Sequence, residues 1–146
     1  MVRSIFFRPY PPQLKYLASS LLRTKARQWS AVVTWAAILL VLSLLPAGRI
    51  PRIDLLDDLL SIDKWVHALV YGVFAVLLYL PLRNGRIFGG LWAFLLSSVF
   101  GAAMEWLQYV SNTGRNFDLA DMIANCFGAL IGYLLIRRYT KNKRNE

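Results

Sequence analysis

Cysteine is almost absent: Cys126 is the only one in 146 residues, and it stands inside an apolar run. Within one chain this excludes a disulfide framework and any metal motif built on several cysteines. Cys126 reads as a small packing residue. Histidine is equally scarce, so a metal site would have His67 as its only nitrogen ligand. Acidic residues number eight against seventeen Lys and Arg, which leaves a formal net charge of +9. There is no internal repeat and no low-complexity tract. No Gly-x-Ser-x-Gly motif surrounds Ser111 or Thr113, so a serine nucleophile of that kind is not evident.

A strongly basic chain ordinarily invites a nucleic-acid reading. The placement of the charges argues against it. The sequence is 57% hydrophobic with mean hydropathy +0.44, and its Lys and Arg flank long apolar runs. Orientation in a membrane accounts for that pattern, and no nucleic-acid partner is expected. The length allows one domain.

Four runs have the roughly 20 residues needed to cross a bilayer: Trp29–Leu45, Trp65–Leu82, Ile87–Val110 and Leu119–Ile136. The first is preceded by basic residues, as a signal peptide would be. Its charged region is long, however, and no small-x-small cleavage site precedes Gly48-Arg49, so an uncleaved anchor is expected. Ahead of it, residues 1–28 form a basic arm. Pro9, Pro11 and Pro12 make its start irregular. Leu14, Leu17, Ala18 and Leu21 recur at helical spacing, which suits a helix lying on the membrane surface; a disordered basic arm is the plain alternative. Residues 29–136 form the spanning domain, and 137–146 a basic tail.

Orientation follows from Lys and Arg near the span ends. Thirteen fall in the N-terminal arm (Arg3, Arg8, Lys15, Arg23, Lys25, Arg27), the 83–86 turn (Arg83, Arg86) and the tail (Arg137, Arg138, Lys141, Lys143, Arg144). Four fall on the other side: Arg49, Arg52, Lys64 and Arg115. Both termini are therefore expected in the cytoplasm, with the 47–62 and 111–117 loops outside. The expected fold is an all-α, integral membrane four-helix bundle.

The polar residues within the spans are not scattered. Asp63, His67 and Tyr71 fall at i, i+4 and i+8, with Lys64 beside them, so they share one helix face. His67 lies about 6 Å deeper than Asp63. Glu105 and Gln108 fall at the outer end of the third span, on one stripe with Ser97 and Gly101. Asp118, Asp121 and Asn125 open the fourth, on one stripe with Gly128 and Gly132. The Gly128-x-x-x-Gly132 spacing lets another helix backbone approach closely. Every ionisable residue in the spans thus lies toward one leaflet, which predicts a polar cup open to the outside above a tightly packed floor. An ionisable group at membrane depth is costly and marks a functional site by default.

Polar residues in spans also hydrogen-bond helices together, at about 0.6 kcal/mol each. Gln108 and Asn125 fit that bracing role as well as a functional one. Asp63, His67, Glu105 and Asp121 together fit it less well, because bracing rarely needs so many ionisable groups. Lys64 has the option of snorkelling outward, and Tyr71 of serving as an interhelical hydroxyl. Arg115, between Glu105 and Asp118, suits a bridging ion pair. A His among carboxylates can serve as a general base, which makes His67, Asp63 and Glu105 the catalytic candidates. A hard metal could use Asp63, Glu105 and Asp121 with His67, but no spacing here is a metal signature, and no metal or cofactor is expected.

The ordered set Asp63-Lys64-x-x-His67-x-x-x-Tyr71, Glu105-x-x-Gln108, and Arg115-x-x-Asp118-x-x-Asp121-x-x-x-Asn125-x-x-Gly128-Ala129-x-x-Gly132 resembles the VanZ-like family of small bacterial membrane proteins. The Ser43…Pro46 close of the first span fits it too. The resemblance is carried by residues 30–136 and leaves the basic arm outside. It implies a multi-pass protein of the bacterial cytoplasmic membrane, belonging to the cell envelope. The family's namesake is linked to low-level resistance to the glycopeptide teicoplanin. No catalytic role comes with the pattern.

Three functions compete. The favoured one is a non-catalytic envelope protein whose cup binds or excludes a cell-wall precursor or lipid head group, and so alters how lipophilic glycopeptides reach the surface. The second is a membrane enzyme acting on a lipid-linked or phosphorylated envelope substrate. In it His67 is a base oriented by Asp63 or Glu105, while Arg115 and Lys64 hold an anion. The third, a transporter, is disfavoured because polar groups in one leaflet make no continuous pathway unless copies assemble. Association of identical chains stays open.

Overall fold

In the computed structural model, residues 24–45, 62–83, 88–111 and 118–144 are described. These residues form four α-helices and no strand: α1 Lys25–Leu44, α2 Ile62–Leu82, α3 Gly89–Val110 and α4 Leu119–Arg144. Each is long and apolar enough to cross a membrane. The expected N-terminal surface helix, the 47–62 loop up to Ser61, most of the 83–86 turn and Arg115 lie outside the described residues.

Local chemistry sets the helix starts. The Thr24 hydroxyl accepts the Arg27 N–H at 3.4 Å and caps α1, so the helix opens four residues before the uncharged run does. Asp118 Oδ1 accepts the Ala120 N–H at 2.7 Å at the start of α4. Side-chain caps of this kind satisfy N–H groups that have no partner within the helix. At its far end α4 runs eight residues beyond Ile136, to Arg144. Hydropathy marks where a helix leaves the hydrocarbon, not where it stops. No Gly or Pro interrupts this segment, and the Thr140 hydroxyl bonds back to the Ile136 and Arg137 carbonyls.

The helices alternate in direction. α2 packs most extensively on α4, α3 lies against both, and α1 covers α2 and part of α3. The α2–α4 approach depends on glycine. A Cβ at Gly128 would run into the Ala68 backbone, and one at Gly132 would sit 2.6 Å from the Gly72 carbonyl oxygen. This is the close contact expected from the Gly128/Gly132 spacing, with Ala68 and Gly72 as the facing surface. Val32 and Leu39 of α1 meet Tyr71, Phe74 and Leu78 of α2 and Ala93 of α3 in the apolar core. The Trp35 indole N–H reaches across to the Val70 carbonyl at 3.1 Å.

The outward surface is apolar, as lipid requires. Val33, Leu69, Val99 and Leu135 are all exposed. Among the described residues, exposed Trp and Tyr gather at two levels: Trp29, Trp92 and Tyr139, with Phe88, toward one end, Trp65, Trp106 and Tyr109 toward the other. Trp92 and Trp106 are separated by about 21 Å along α3, a spacing that suits the two aromatic belts of a bilayer.

Candidate functional site

Alternation brings the start of α2, the end of α3 and the start of α4 to one end of the bundle, and the predicted stripes face one another there. Ser97, Gly101, Glu105 and Gln108 are buried along α3, as are Asp121, Asn125, Gly128 and Gly132 along α4. The small size of Gly101 is needed: a Cβ there would lie 2.9 Å from Asn125 Cβ and 3.2 Å from the Tyr71 ring. The Ser97 hydroxyl ties α3 to α2 through the Tyr71 carbonyl at 3.0 Å.

His67 is the hub. Its Nδ1 lies 2.8 Å from Asn125 Oδ1 and 4.0 Å from Glu105 Oε1. Its Nε2 faces Asp63 Oδ1 at 3.7 Å and Asp121 Oδ2 at 3.9 Å. The ring stacks over Tyr71, with centroids 6.5 Å apart and planes 11° from parallel. Because Asn125 Oδ1 is an acceptor, Nδ1 is the donor in that bond, which leaves Nε2 aimed at two carboxylates. Those two distances are too long for direct hydrogen bonds. A donor or cation placed between them would satisfy all three groups.

Lys64 does not simply snorkel outward. Its ammonium lies 3.3 Å from Asp121 Oδ1 and 3.6 Å from Asp118 Oδ2. The Ala120 N–H, with the Lys64 charge nearby, holds the Asp118 carboxyl below its usual range. Exposure falls steadily inward. The side chains of Asp63, Asp118 and Lys64 are 55%, 48% and 41% exposed, His67 is 15%, and Glu105 is 1%. Tyr71 and Asn125 are buried beside them.

A groove of about 220 Å³ reaches this cluster from the side of α1. Leu39, Leu42, Ser43 and Leu45 form one wall; Asp63, His67, Tyr71 and Gln108 are among the residues of the other. The part played by the end of α1 had no polar marker in the sequence beyond Ser43. Among the described residues, the cluster sets four carboxylates (Asp63, Glu105, Asp118, Asp121) against Lys64 and His67. Ligand atoms from Asp63, His67 and Asp121 all lie within 4.8 Å of one another, close enough to share a cation. Glu105 is not in that group, and Lys64 competes for Asp121, so proximity alone assigns no metal.

The VanZ/LLP1 family model matches residues 4–140. The chain belongs to the VanZ/LLP1 family. The match begins at residue 4, so it takes in the basic arm that the sequence pattern alone left outside. No curated protein and no solved structure matches this VanZ/LLP1 chain.

Proposed function

We propose that this VanZ/LLP1 protein is a cell-envelope protein of the bacterial cytoplasmic membrane whose His67 cluster is a polar cup in the outer leaflet, binding a head group of an envelope component. The observation that carries the reading is convergence. Three helices bring Asp63, His67, Glu105 and Asp121 to one end of the bundle, with a lateral groove reaching His67. Helix bracing alone needs no such collection of ionisable groups and no opening beside it.

The charge balance narrows the ligand. Among the described residues four carboxylates face Lys64 and His67, and both Asp118 and Asp121 hold the Lys64 ammonium, while Asp63 beside His67 is half exposed. The cup therefore favours a group rich in hydrogen-bond donors or carrying a positive charge, such as an amine or a polyol. An envelope component so held would alter access for glycopeptides with lipid tails, and this is the route by which the protein would contribute to teicoplanin resistance. The Lys and Arg bias supports an orientation with both termini in the cytoplasm and the cup outside.

An enzyme acting on a lipid-linked substrate is the second reading. It is favoured by one observation: His67 is held through Nδ1 by Asn125, while Nε2 faces the carboxylates of Asp63 and Asp121. That arrangement suits a base with a fixed tautomer. A phosphorylated substrate is less well served, because Lys64 is already engaged by two carboxylates.

The test is a paired susceptibility measurement in a glycopeptide-sensitive Gram-positive host. Wild type and a His67→Ala/Glu105→Ala variant are compared at matched membrane levels, with teicoplanin and vancomycin. Protection by the wild type alone, mainly against teicoplanin, is the expected result. Absence of protection by either form removes the resistance role.

A further inference from the structure

The opposite end of the bundle has its own cavity, of about 690 Å³, where the end of α2, the start of α3 and the last turns of α4 meet. Arg83, Arg137 and Lys141 line it, together with Tyr79 and Tyr133. None of the three cations has an ion-pair partner among the described residues; the acidic residues there, Asp63, Glu105, Asp118 and Asp121, all belong to the His67 end. Nor does the start of α3 supply an acid: its first turn has none, and Phe88 provides no side-chain cap. Backbone N–H groups left uncapped at a helix start add to a positive field. Leu91 lines the same cavity and is exposed toward lipid, as is Phe88.

We infer that this cavity binds the phosphate of an anionic phospholipid, with the acyl chains running along the Leu91 face. The chemistry is complementary: three cations without an ion-pair partner among the described residues for the phosphate, two phenol hydroxyls for ester or glycerol oxygens, and an apolar exit at the bilayer surface. Basic pockets between spanning helices are suited to phospholipid head groups. A free phosphate ion would use the cations but gain nothing from the lipid-facing exit, so the lipid is the occupant. The inference does not depend on what the His67 cup binds.

The alternative is that these cations serve orientation only, as any basic residues near a span end would. Neighbouring positions separate the two. Arg137 lines the cavity whereas Arg138 does not. The full-length protein, purified in a neutral detergent that provides no charged surface, is titrated with phosphatidylglycerol or phosphatidylcholine and followed by native mass spectrometry. Phosphatidylglycerol is expected to stay bound and phosphatidylcholine not. Arg83→Gln/Arg137→Gln should weaken retention by about tenfold. Lys25→Gln/Arg138→Gln, which removes the same charge elsewhere, should leave it near the wild-type level. Millimolar inorganic phosphate should not displace the lipid.

Equal loss in both variants, equal binding of the two lipids, or displacement by inorganic phosphate each overturns the proposal. Should the Arg83/Arg137 variant not fold, judged by its unfolding temperature, Lys141→Gln carries the same comparison.

Discussion

His67 Nδ1 and Asn125 Oδ1 meet at 2.8 Å, joining α2 to α4 across 58 positions of sequence. Asn125 is fully buried, so this contact is both a brace between helices and the group that sets which face of the imidazole is left for other partners. Asn125→Leu keeps the branching and the number of side-chain heavy atoms and removes the acceptor. It should lower stability by about 1–3 kcal/mol, the cost of leaving a buried donor unsatisfied. Cys126→Leu, on the exposed face of the same turn, should change little. Thermal unfolding in detergent compares the two directly.

Lys64 and Asp121 should respond unequally to neutralisation. The Asp121 side chain is 8% exposed and that of Lys64 is 41%. Removing the lysine strands a buried carboxylate beside others, whereas removing the aspartate leaves an ammonium that can turn to water. Lys64→Gln is therefore expected to cost about 1–3 kcal/mol and Asp121→Asn less than about 1 kcal/mol. The double variant should lie close to Asp121→Asn. The reverse ranking in unfolding measurements would mean that Lys64 is not the counter-charge of Asp121.

The α2–α4 seam should tolerate almost nothing at Gly128. Gly128→Ala drives a methyl group into the Ala68 backbone, which cannot move aside without separating the helices. A loss of about 3 kcal/mol, or failure to accumulate in the membrane, is expected. Gly90→Ala meets only the flexible edge of the Tyr133 ring at 3.3 Å and should cost less than about 1 kcal/mol. Membrane expression levels and unfolding temperatures of the two variants provide the check.

Much of this was legible in the residue order. Spans of apolar residues fixed the four helices, and the recurrence of Asp63, His67 and Tyr71, or of Asp121, Asn125 and Gly128, identified the faces that meet. What periodicity lacks is the partner. Nothing in the sequence distinguished Asn125 as the atom nearest to His67, or turned Lys64 inward rather than outward; both follow from the relative height of α2 and α4, which Gly128 and Ala68 set. The wall contributed by Leu39 and Leu42 was hidden for a different reason: in a membrane protein, core-facing and lipid-facing leucines look alike. In the sequence, tail residues such as Arg137 and Lys141 carry only an orientation signal, because the apolar run ends at Ile136 and nothing beyond it marks the helix that continues to Arg144.

Acid should act on the rim of the cluster, not at neutral pH. The Asp118 carboxyl titrates below its ordinary value because it accepts the Ala120 N–H and faces Lys64. A lowered carboxylate contributes stability that is fully present above its unfolded value, about 3.9, and is lost as pH falls through the lower folded value. The stability difference between wild type and Asp118→Asn should therefore stay flat from about pH 5 to 8 and shrink below about pH 4. A difference that declines between pH 8 and 6 would assign the effect to another group.

Every part of the functional reading requires the His67 cluster to be reached from outside the cell. Ser43 lines the groove beside it, and a Ser43→Cys change is nearly isosteric. In a Cys126→Ser background, the new thiol should be blocked by a membrane-impermeant maleimide added to intact spheroplasts. Arg138→Cys, at the other end of the bundle, should react only after the membrane is opened. Reaction of Arg138→Cys from outside, with Ser43→Cys protected until permeabilisation, would contradict the account by turning the cup toward the cytoplasm.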